Sequence, residues 1–186
     1  DYILHLGAES HVNNSIENPE PFVMSNVLGT MHVLNFARMQ KDLKAFLYFS
    51  TDEVFGPAPE GVNYKEWDRY SSGNPYAATK AGGEELALAF ANTYSIPMII
   101  THTMNVVGER QHPEKFIPMT IKKILNGEKV LIHAYPDLQK AGSRMWIHAR
   151  NVAMAISFLL DKLEKKEIDS KDKFNIVGEK EIDNLE

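Results

Sequence analysis

Two stretches of the sequence carry side chains that could perform acid–base chemistry. In the first, an apolar run ends at Thr51, and two adjacent acids follow, Asp52 and Glu53. In open α/β sheets, ligands bind at the carboxyl ends of the strands, where polar side chains converge. If both acids faced a substrate, one could be held protonated as an acid while the other acted as a base. The alternative interpretation is a polar turn that only ends the strand.

The second stretch places a tyrosine and a lysine four residues apart. Tyr76 and Lys80 follow Pro75, which suits the first turn of a helix, with Asn74 as its cap. On that helix the two side chains would share one face. An ammonium group near a phenol lowers the pKa of the phenol, which would make Tyr76 usable as a base near neutral pH. The alternative is a solvated helix face.

Alternating strand-like and helix-like patterns surround the two stretches. Short apolar runs predict strands at residues 2–6, 45–49, 96–103, 130–133 and 173–177. Apolar positions three and four apart predict helices at residues 22–39, 75–94, 116–125 and 152–163. Residues 56–74 have no clear period, and so long a connection in a compact domain is usually functional. The alternation predicts an α/β fold, a doubly wound parallel sheet covered by helices on both faces.

Composition and length argue against several other kinds of protein. The 186 residues include no run of roughly 18 apolar residues and no signal-peptide pattern, so we expect a cytoplasmic protein without a membrane partner. The net charge of −5 argues against binding to nucleic acid. The sequence has no cysteine, and its seven histidines form no HxxxH or HxH pair, so we expect no metal site.

Taken together, residues 50–56 and 75–80 resemble the extended short-chain dehydrogenase/reductase superfamily. Within it, they are most similar to the NAD-dependent nucleotide-sugar epimerases and dehydratases, of the dTDP-glucose 4,6-dehydratase type. Further stretches that agree in order and spacing are residues 5–12, 26–30, 105–108, 112–118, 144–146 and 174–176. The Thr-Asp-Glu triplet favours the dehydratases, because related epimerases and decarboxylases usually carry other residues there.

The resemblance implies a role for each reactive side chain. Tyr76 would take the proton from the 4-hydroxyl of a sugar as hydride passes from C4 to NAD, and Lys80 would bind the nicotinamide ribose. Thr51 would hydrogen-bond the 4-hydroxyl, Glu53 would remove the C5 proton, and Asp52 would protonate the departing 6-hydroxyl. Hydride then returns to C6. The implied enzyme is a lyase that converts a dTDP- or UDP-hexose to its 4-keto-6-deoxy form, in deoxysugar or surface-glycan synthesis.

The resemblance also implies residues that bind the cofactor and the substrate. The cofactor positions are matched by Leu6, Gly7, Ala8, Ser10, Ser25, Tyr76 and Lys80. The nucleotide-sugar positions are matched by Ser10, Thr51, Asn105, Lys115, Phe116, Arg144 and Asn175. Members of this family commonly dimerise by packing two helices from each subunit, here residues 22–39 and 75–94, so we expect a homodimer.

The sequence departs from the family pattern in four places. It has no glycine-rich G-x-x-G-x-x-G strand-turn-helix to hold the pyrophosphate, and Met145 stands where an aspartate is usual. The stretch of residues 134–143 is longer and lacks the usual glycines, and Gly7 and residues 13–14 replace the commoner alanine and Asp-Arg. We therefore expect a partial Rossmann-like NAD-binding and catalytic core at residues 1–112, without the N-terminal glycine-rich βαβ portion. Residues 113–186 would form part of a small sugar-nucleotide-binding lobe, interleaved with the last core elements. Two alternatives stay open, a nucleotide-sugar 4-epimerase and a truncated, non-catalytic chain that binds sugar nucleotides.

Overall fold

The computed structural model describes residues 1–59, 61–132, 134, 136 and 141–185. The strands are β1 (Tyr2–His5), β2 (Ala45–Thr51), β3 (Met98–Thr103), β4 (Val106–Val107), β5 (Ser143–Met145), β6 (Ile147–His148), β7 (Lys173–Ile176) and β8 (Glu181–Asp183). The α-helices are α1 (Val12–Glu17), α2 (Glu20–Phe22), α3 (Thr30–Ala37), α4 (Pro75–Tyr94), α5 (Phe116–Leu125) and α6 (Ala149–Glu164). A π-helical segment, Val23–Gly29, joins α2 to α3, and a 3-10 turn, Asp52–Phe55, follows β2.

Contacts between residues divide the chain into two compact units. The first contains Asp1–Thr103 and Ser157–Ile176, and the second contains Met104–Ile156 and Val177–Glu186. The domain boundary expected at residue 112 stays a prediction. No helix in the described ranges is both long enough and apolar enough to cross a membrane.

The first unit is built on a parallel sheet of strand order β1-β2-β3-β7. Along β2, Phe46 and Tyr48 lie in a fully buried cluster with Leu34 of α3 and Ala87 of α4. Since side chains alternate along a strand, Leu47 points to the opposite face, and it is also fully buried. Both faces of the sheet are therefore covered, and the predicted α/β class with a parallel sheet is confirmed.

Parallel pairing brings the carboxyl ends of the strands to one edge of this sheet. His5 of β1 pairs with Tyr48, and Thr51 at the end of β2 pairs with Thr103 at the end of β3. Ile176 of β7 continues the row beside Thr103. The segments after β1 and after β2 therefore emerge at the same edge, as the sequence predicts for a site at strand ends.

Helix α4 begins where the sequence places it. Asn74 has an extended backbone, its side-chain oxygen accepts the Ala77 N–H at 2.8 Å, and Pro75 occupies the first helical position. The helix also approaches the π-helical segment closely at Gly83, where an added Cβ would lie 2.6 Å from the backbone oxygen of Asn26. Only a glycine allows the helix that close to the π-helical segment.

The second unit contains two small strand pairs. β4 pairs in parallel with β6, and β5 pairs in antiparallel with β8. The strand expected at residues 130–133 is not found at residues 130–132, and His133 lies outside the described residues. Leu131 is 77% exposed, and these residues pair with no strand among those described, so the apolar run lacks the neighbour that a strand requires.

Candidate active site

The two acids after β2 lie on the 3-10 turn that Thr51 begins. The Thr51 Oγ1 atom accepts the Glu53 N–H at 3.3 Å and donates to Asp52 Oδ1 at 3.2 Å. Val54 and Phe55 of the same turn are buried and anchor it, while both acids stay half-buried. The strand-end hydroxyl therefore contacts the carboxyl group of Asp52 and the backbone of Glu53, and both acids lie on a single turn.

The acid turn is joined to the start of α4 by one side chain. Asn74 Nδ2 donates to Glu53 Oε2 at 3.0 Å, while Asn74 Oδ1 caps the helix through the Ala77 N–H. Tyr76, the predicted base, lies two residues after Asn74. Glu53 and Tyr76 are 23 positions apart in the sequence, and Asn74 connects the turn of Glu53 to the first turn of the helix that contains Tyr76.

Tyr76 lies among the residues that the sequence singled out. Its backbone N–H donates to Ser15 Oγ at 3.1 Å, and its ring contacts Phe22 edge-on. Burial raises the pKa of Tyr76 to about 12, a hydrogen bond with Thr51 opposes this, and the nearby charges of Glu53 and Asp52 reinforce it. The phenol is therefore close to both acids, and it is protonated at neutral pH.

Lys80 shares the helix face of Tyr76 but does not lower its pKa in this structure. The Lys80 ammonium group donates to the Phe49 carbonyl at 2.6 Å and lies 4.5 Å from the centre of the Tyr48 ring. Burial lowers the pKa of Lys80 to about 8. The predicted lowering of the Tyr76 pKa is thus absent here, because burial dominates and the ammonium is directed at a strand carbonyl.

The predicted cofactor residues after β1 form an exposed loop at the strand ends. Its members are Leu6, Gly7, Ala8 and Ser10, and the fifth such residue, Ser25, is exposed on the π-helical segment. Asn26 fixes this loop: its Oδ1 accepts the Glu9 N–H at 2.8 Å, and its Nδ2 donates to the Glu9 carbonyl at 3.0 Å. Asn26 also donates to Thr79 of α4. The available sequence signal for this role was an asparagine among the apolar residues Val23, Val27 and Leu28 of the predicted helix.

Asn175 of β7 contacts the long connection at residues 56–74. Its backbone N–H donates to Glu66 Oε1 at 3.1 Å, and its Nδ2 donates to the Tyr64 carbonyl at 3.2 Å. Tyr64 in turn stacks on Phe55 of the acid turn, with ring centres 5.5 Å apart. In this structure Asn175 therefore holds the connection, a contact that the sequence did not predict.

Four predicted substrate residues lie in the second unit. Asn105 accepts the Ile147 N–H through its carbonyl at 3.1 Å, and Phe116 stacks on Trp146 with ring centres 6.4 Å apart. Lys115 directly precedes α5, and burial lowers its pKa. Arg144 is exposed on β5 and donates to the neighbouring Ser143 carbonyl.

The NAD dependent epimerase/dehydratase family matches residues 1–176. The chain belongs to this family. The low-salt glycan biosynthesis protein Agl12 of Haloferax volcanii is 39% identical over 186 residues, which are 100% of this chain and 56% of that protein. The dTDP-glucose 4,6-dehydratase of Mycobacterium tuberculosis is 37% identical over 166 residues, 87% of this chain and 48% of that protein. The chain thus spans about half the length of these curated relatives.

Solved structures of family members agree with the fold. DesIV, a dTDP-glucose 4,6-dehydratase from Streptomyces venezuelae with NAD and TYD bound, superposes with a TM-score of 0.89 and 32% identity, over 100% of this chain and 54% of that one. A UDP-glucuronic acid 4-epimerase from Bacillus cereus, in complex with UDP-glucuronic acid and NAD, has a TM-score of 0.88 at 24% identity, over 100% of this chain and 56% of that one. At 24% identity, the similarity to the epimerase supports the fold and nothing further. The predicted family and Rossmann-like fold are confirmed.

This family member also contains a buried polar cluster that the sequence did not reveal. Glu84 of α4 forms an ion pair with Lys173 Nζ at 2.8 Å and lies 3.1 Å from His102 Nε2. It also accepts a hydrogen bond from the Tyr70 hydroxyl. Burial alone would raise the pKa of Glu84, but the bonds from His102, Lys173 and Tyr70 outweigh it and lower the pKa to about 2. The sequence signal available for this cluster was an acid, Glu84, one helical turn after Lys80. Among the described residues, no group of three or more His, Asp or Glu side chains could hold a metal ion.

Proposed function

We propose that the protein is an NAD-dependent nucleotide-sugar 4,6-dehydratase, a lyase that converts a dTDP- or UDP-hexose to its 4-keto-6-deoxy form. The observation that carries the proposal is the grouping of Tyr76 with Thr51, Asp52 and Glu53 at the end of β2. An epimerase needs the tyrosine but has no step for a pair of acids beside it. The two acids therefore favour elimination over simple epimerisation.

The residues after β1 fit the nicotinamide end of NAD. Their backbone is exposed at the strand ends, and a Cβ added at Gly7 would meet nothing within 4 Å, so a ligand can approach closely there. Leu6, Gly7, Ala8, Ser10 and Ser25 would contact the cofactor, and Lys80 would reach the ribose. Bound NAD would supply the hydride acceptor for C4 of the sugar and the hydride donor for C6.

Tyr76 would take the proton of the sugar 4-hydroxyl. With a pKa of about 12, only roughly one molecule in 10⁵ carries the phenolate at pH 7. The pKa of Tyr76 must therefore fall in the reacting complex. The hydrogen bond with Thr51 already acts in that direction, and a positive charge brought near the ring would act in the same sense.

Glu53 and Asp52 would carry out the elimination. Glu53 removes the C5 proton, and the C5–H electron pair becomes the second bond between C5 and C6. The C6–O bond breaks as Asp52 gives its proton to the oxygen, and water leaves. When hydride is returned to C6, protonated Glu53 gives its proton back to C5, which completes the 4-keto-6-deoxy sugar. Neighbouring positions on one turn suit attack on neighbouring sugar atoms.

The remaining predicted substrate residues would bind the nucleotide sugar. They are Asn105, Lys115, Phe116, Arg144 and Asn175. An arginine suits a diphosphate because its forked donors match two oxygens at once. The absence of cysteine fits a reducing compartment, and the proposal places the reaction in the cytoplasm.

A homodimer is part of the proposal. Apolar side chains at Met24, Phe36 and Met39 are exposed on residues 22–39, one of the two segments expected at the dimer interface. Light scattering coupled to size-exclusion chromatography, performed on the full-length gene product, should give twice the monomer mass. A monomer at micromolar concentration would exclude this assembly.

The proposed activity is tested by the reaction product. The full-length gene product is incubated with NAD and either dTDP-glucose or UDP-glucose, and the product is analysed by mass spectrometry and NMR. Loss of one water and a 4-keto-6-deoxy spectrum are expected. A product of unchanged mass that is inverted at C4 identifies a 4-epimerase, and no conversion together with tight binding identifies a non-catalytic protein.

A further inference from the structure

Asn74 makes two side-chain contacts that require different chemical groups. Its Oδ1 atom accepts the Ala77 N–H at 2.8 Å, and its Nδ2 atom donates to Glu53 Oε2 at 3.0 Å. A carboxamide is the small side chain that offers an acceptor and a donor on one rigid plane. Both ends of the amide are used, so its orientation is determined by the two partners.

Capping alone does not account for the amide at this position. Aspartate and serine cap helices about as well as asparagine, because each supplies an oxygen for the free N–H groups of the first turn. The contact with Glu53 needs the N–H donor as well. The residue type at 74 is therefore explained by the acid turn and by the helix together.

The contact leaves Glu53 with a defined orientation. Thr51 Oγ1 fixes the Glu53 backbone by accepting its N–H, while Asn74 fixes one oxygen of the carboxylate. The other oxygen, Oε1, receives no hydrogen bond from the residues that the structure describes. A carboxylate held by one oxygen presents the other to a proton on carbon, which is the geometry that a base at C5 requires.

We propose that Asn74 is a positioning residue for the elimination step, holding the Glu53 carboxylate in place relative to Tyr76 at the start of α4. The inference rests on the proposed dehydratase activity. Asn74 acts through Glu53 and takes no proton itself. Losing its donor therefore slows removal of the C5 proton, while hydride transfer from C4 continues.

The test separates the helix cap from the donor. Asn74→Asp keeps an acceptor for the Ala77 N–H but removes the donor and places a second carboxylate beside Glu53. Asn74→Ser keeps a cap and is too short to reach Glu53. The matched control is Asn126→Asp, because Asn126 also donates its amide to a glutamate, Glu128, at 2.9 Å, but on the exposed surface of the second unit.

The readout is single-turnover kinetics of the full-length gene product with NAD and dTDP- or UDP-glucose. Reduced nicotinamide is followed by its near-ultraviolet absorbance, and product by mass. For both Asn74 variants, the absorbance should rise within about twofold of the wild-type rate, and its decay should slow by roughly tenfold to a hundredfold. A substrate deuterated at C5 should then show an isotope effect on kcat that exceeds the wild-type value. Asn126→Asp should match the wild type in every measurement.

Three other results overturn the assignment. If both steps slow equally and the melting temperature falls, Asn74 only caps the helix. If Asn74→Ser eliminates water at the wild-type rate, the donor is not needed. If the wild type itself forms neither reduced cofactor nor dehydrated product, the proposed function is wrong, and the role of Asn74 that depends on it is wrong as well. The wild-type measurement distinguishes this result from the other two.

Discussion

Two groups of ionisable side chains lie beside helix α4, and they are built in opposite ways. Around Glu84, a lysine, a histidine and a tyrosine converge, and the pKa of the acid is lowered to about 2. At the end of β2, Tyr76 lies beside two acids, and its pKa is raised to about 12. In the first group, partners compensate the buried charge of Glu84. In the second group, two carboxyl groups of like charge lie beside the uncharged phenol of Tyr76.

The difference separates a structural role from a chemical one. The Glu84 cluster ties together α4, β3, β7 and the connection that carries Tyr70, since each contributes one member. Groups whose protons are needed for a reaction must be free to exchange them, and a carboxylate bonded by three partners, as Glu84 is, resists that. We therefore propose that the chemistry takes place at the strand end and that the Glu84 cluster supports the fold.

The largest effect should follow from neutralising the acids at the strand end. The double variant Asp52→Asn, Glu53→Gln keeps side-chain shape but removes both proton-transfer groups. Elimination should slow by about 10⁴-fold, or about 5 kcal/mol, while hydride transfer from C4 continues. Rapid-mixing absorbance of reduced nicotinamide and product mass measure the two steps separately.

The matched control for this variant is Glu179→Gln, an exposed acid of the second unit. It should leave both steps unchanged. Elimination at the normal rate in the double variant would show that the acids do not take part. Full-rate interconversion of C4 epimers by the double variant would instead identify an epimerase.

A comparably large effect, on stability, should follow from removing the cation of the buried cluster. Lys173→Met leaves Glu84 buried without its ammonium partner 2.8 Å away, so the free energy of unfolding should fall by about 3–5 kcal/mol. The exposed Lys171→Met should change it by less than about 0.5 kcal/mol. Urea unfolding followed by circular dichroism measures both.

A second substitution sharpens the test. Glu84→Gln in the Lys173→Met background removes the uncompensated charge, so the double variant should be more stable than Lys173→Met alone. If the double variant is less stable than the wild type by the sum of the two single effects, the two charges are not coupled.

The strand-end group was easier to predict from the sequence than the buried cluster, for a physical reason. Asp52 and Glu53 are adjacent, and Tyr76 and Lys80 are one helical turn apart, so local geometry alone places each pair. His102 and Lys173 reach Glu84 only because β3 and β7 are neighbours in the sheet. Strand order is set by packing over the whole domain, which one sequence does not reveal.

Burial was the other quantity that the sequence pattern could not supply. The Tyr76–Lys80 spacing predicted a lowered tyrosine pKa, yet burial and two acids raise it, and Lys80 is bound to the Phe49 carbonyl. Helix α4 and its Asn74 cap were predicted correctly, because capping depends on a few neighbouring residues. The turn that follows β2 depends on buried Phe55, whose partners are distant in sequence.

The third prediction concerns the pH dependence of stability that the Glu84 cluster causes. The pKa of Glu84 is about 2 in the folded protein against an ordinary value of 4.5, so its ionisation stabilises the fold above pH 4.5. That contribution, about 3 kcal/mol, should be lost as pH falls from 4.5 to 2. Urea unfolding across this range should show a shallower pH dependence in Glu84→Gln than in the wild type. Equal slopes would mean that other carboxyl groups carry the acid sensitivity, whereas Glu85→Gln, an exposed neighbour, should leave the slope unchanged.

The smallest effect should come from the hydroxyl that joins the cluster to the connection. Tyr70 receives a hydrogen bond from Lys173 at 2.7 Å and donates to Glu84, so Tyr70→Phe should lower the free energy of unfolding by about 1–2 kcal/mol. Tyr64→Phe is the matched control, because its hydroxyl lies in the same connection and makes only an exposed bond, 3.3 Å long, to Pro57. It should lower that free energy by less than about 0.5 kcal/mol. If Tyr70→Phe and Tyr64→Phe lower the free energy of unfolding equally, the buried hydroxyl of Tyr70 stabilises the protein no more than an exposed one. The Glu84 cluster and the strand end would then differ in charge alone.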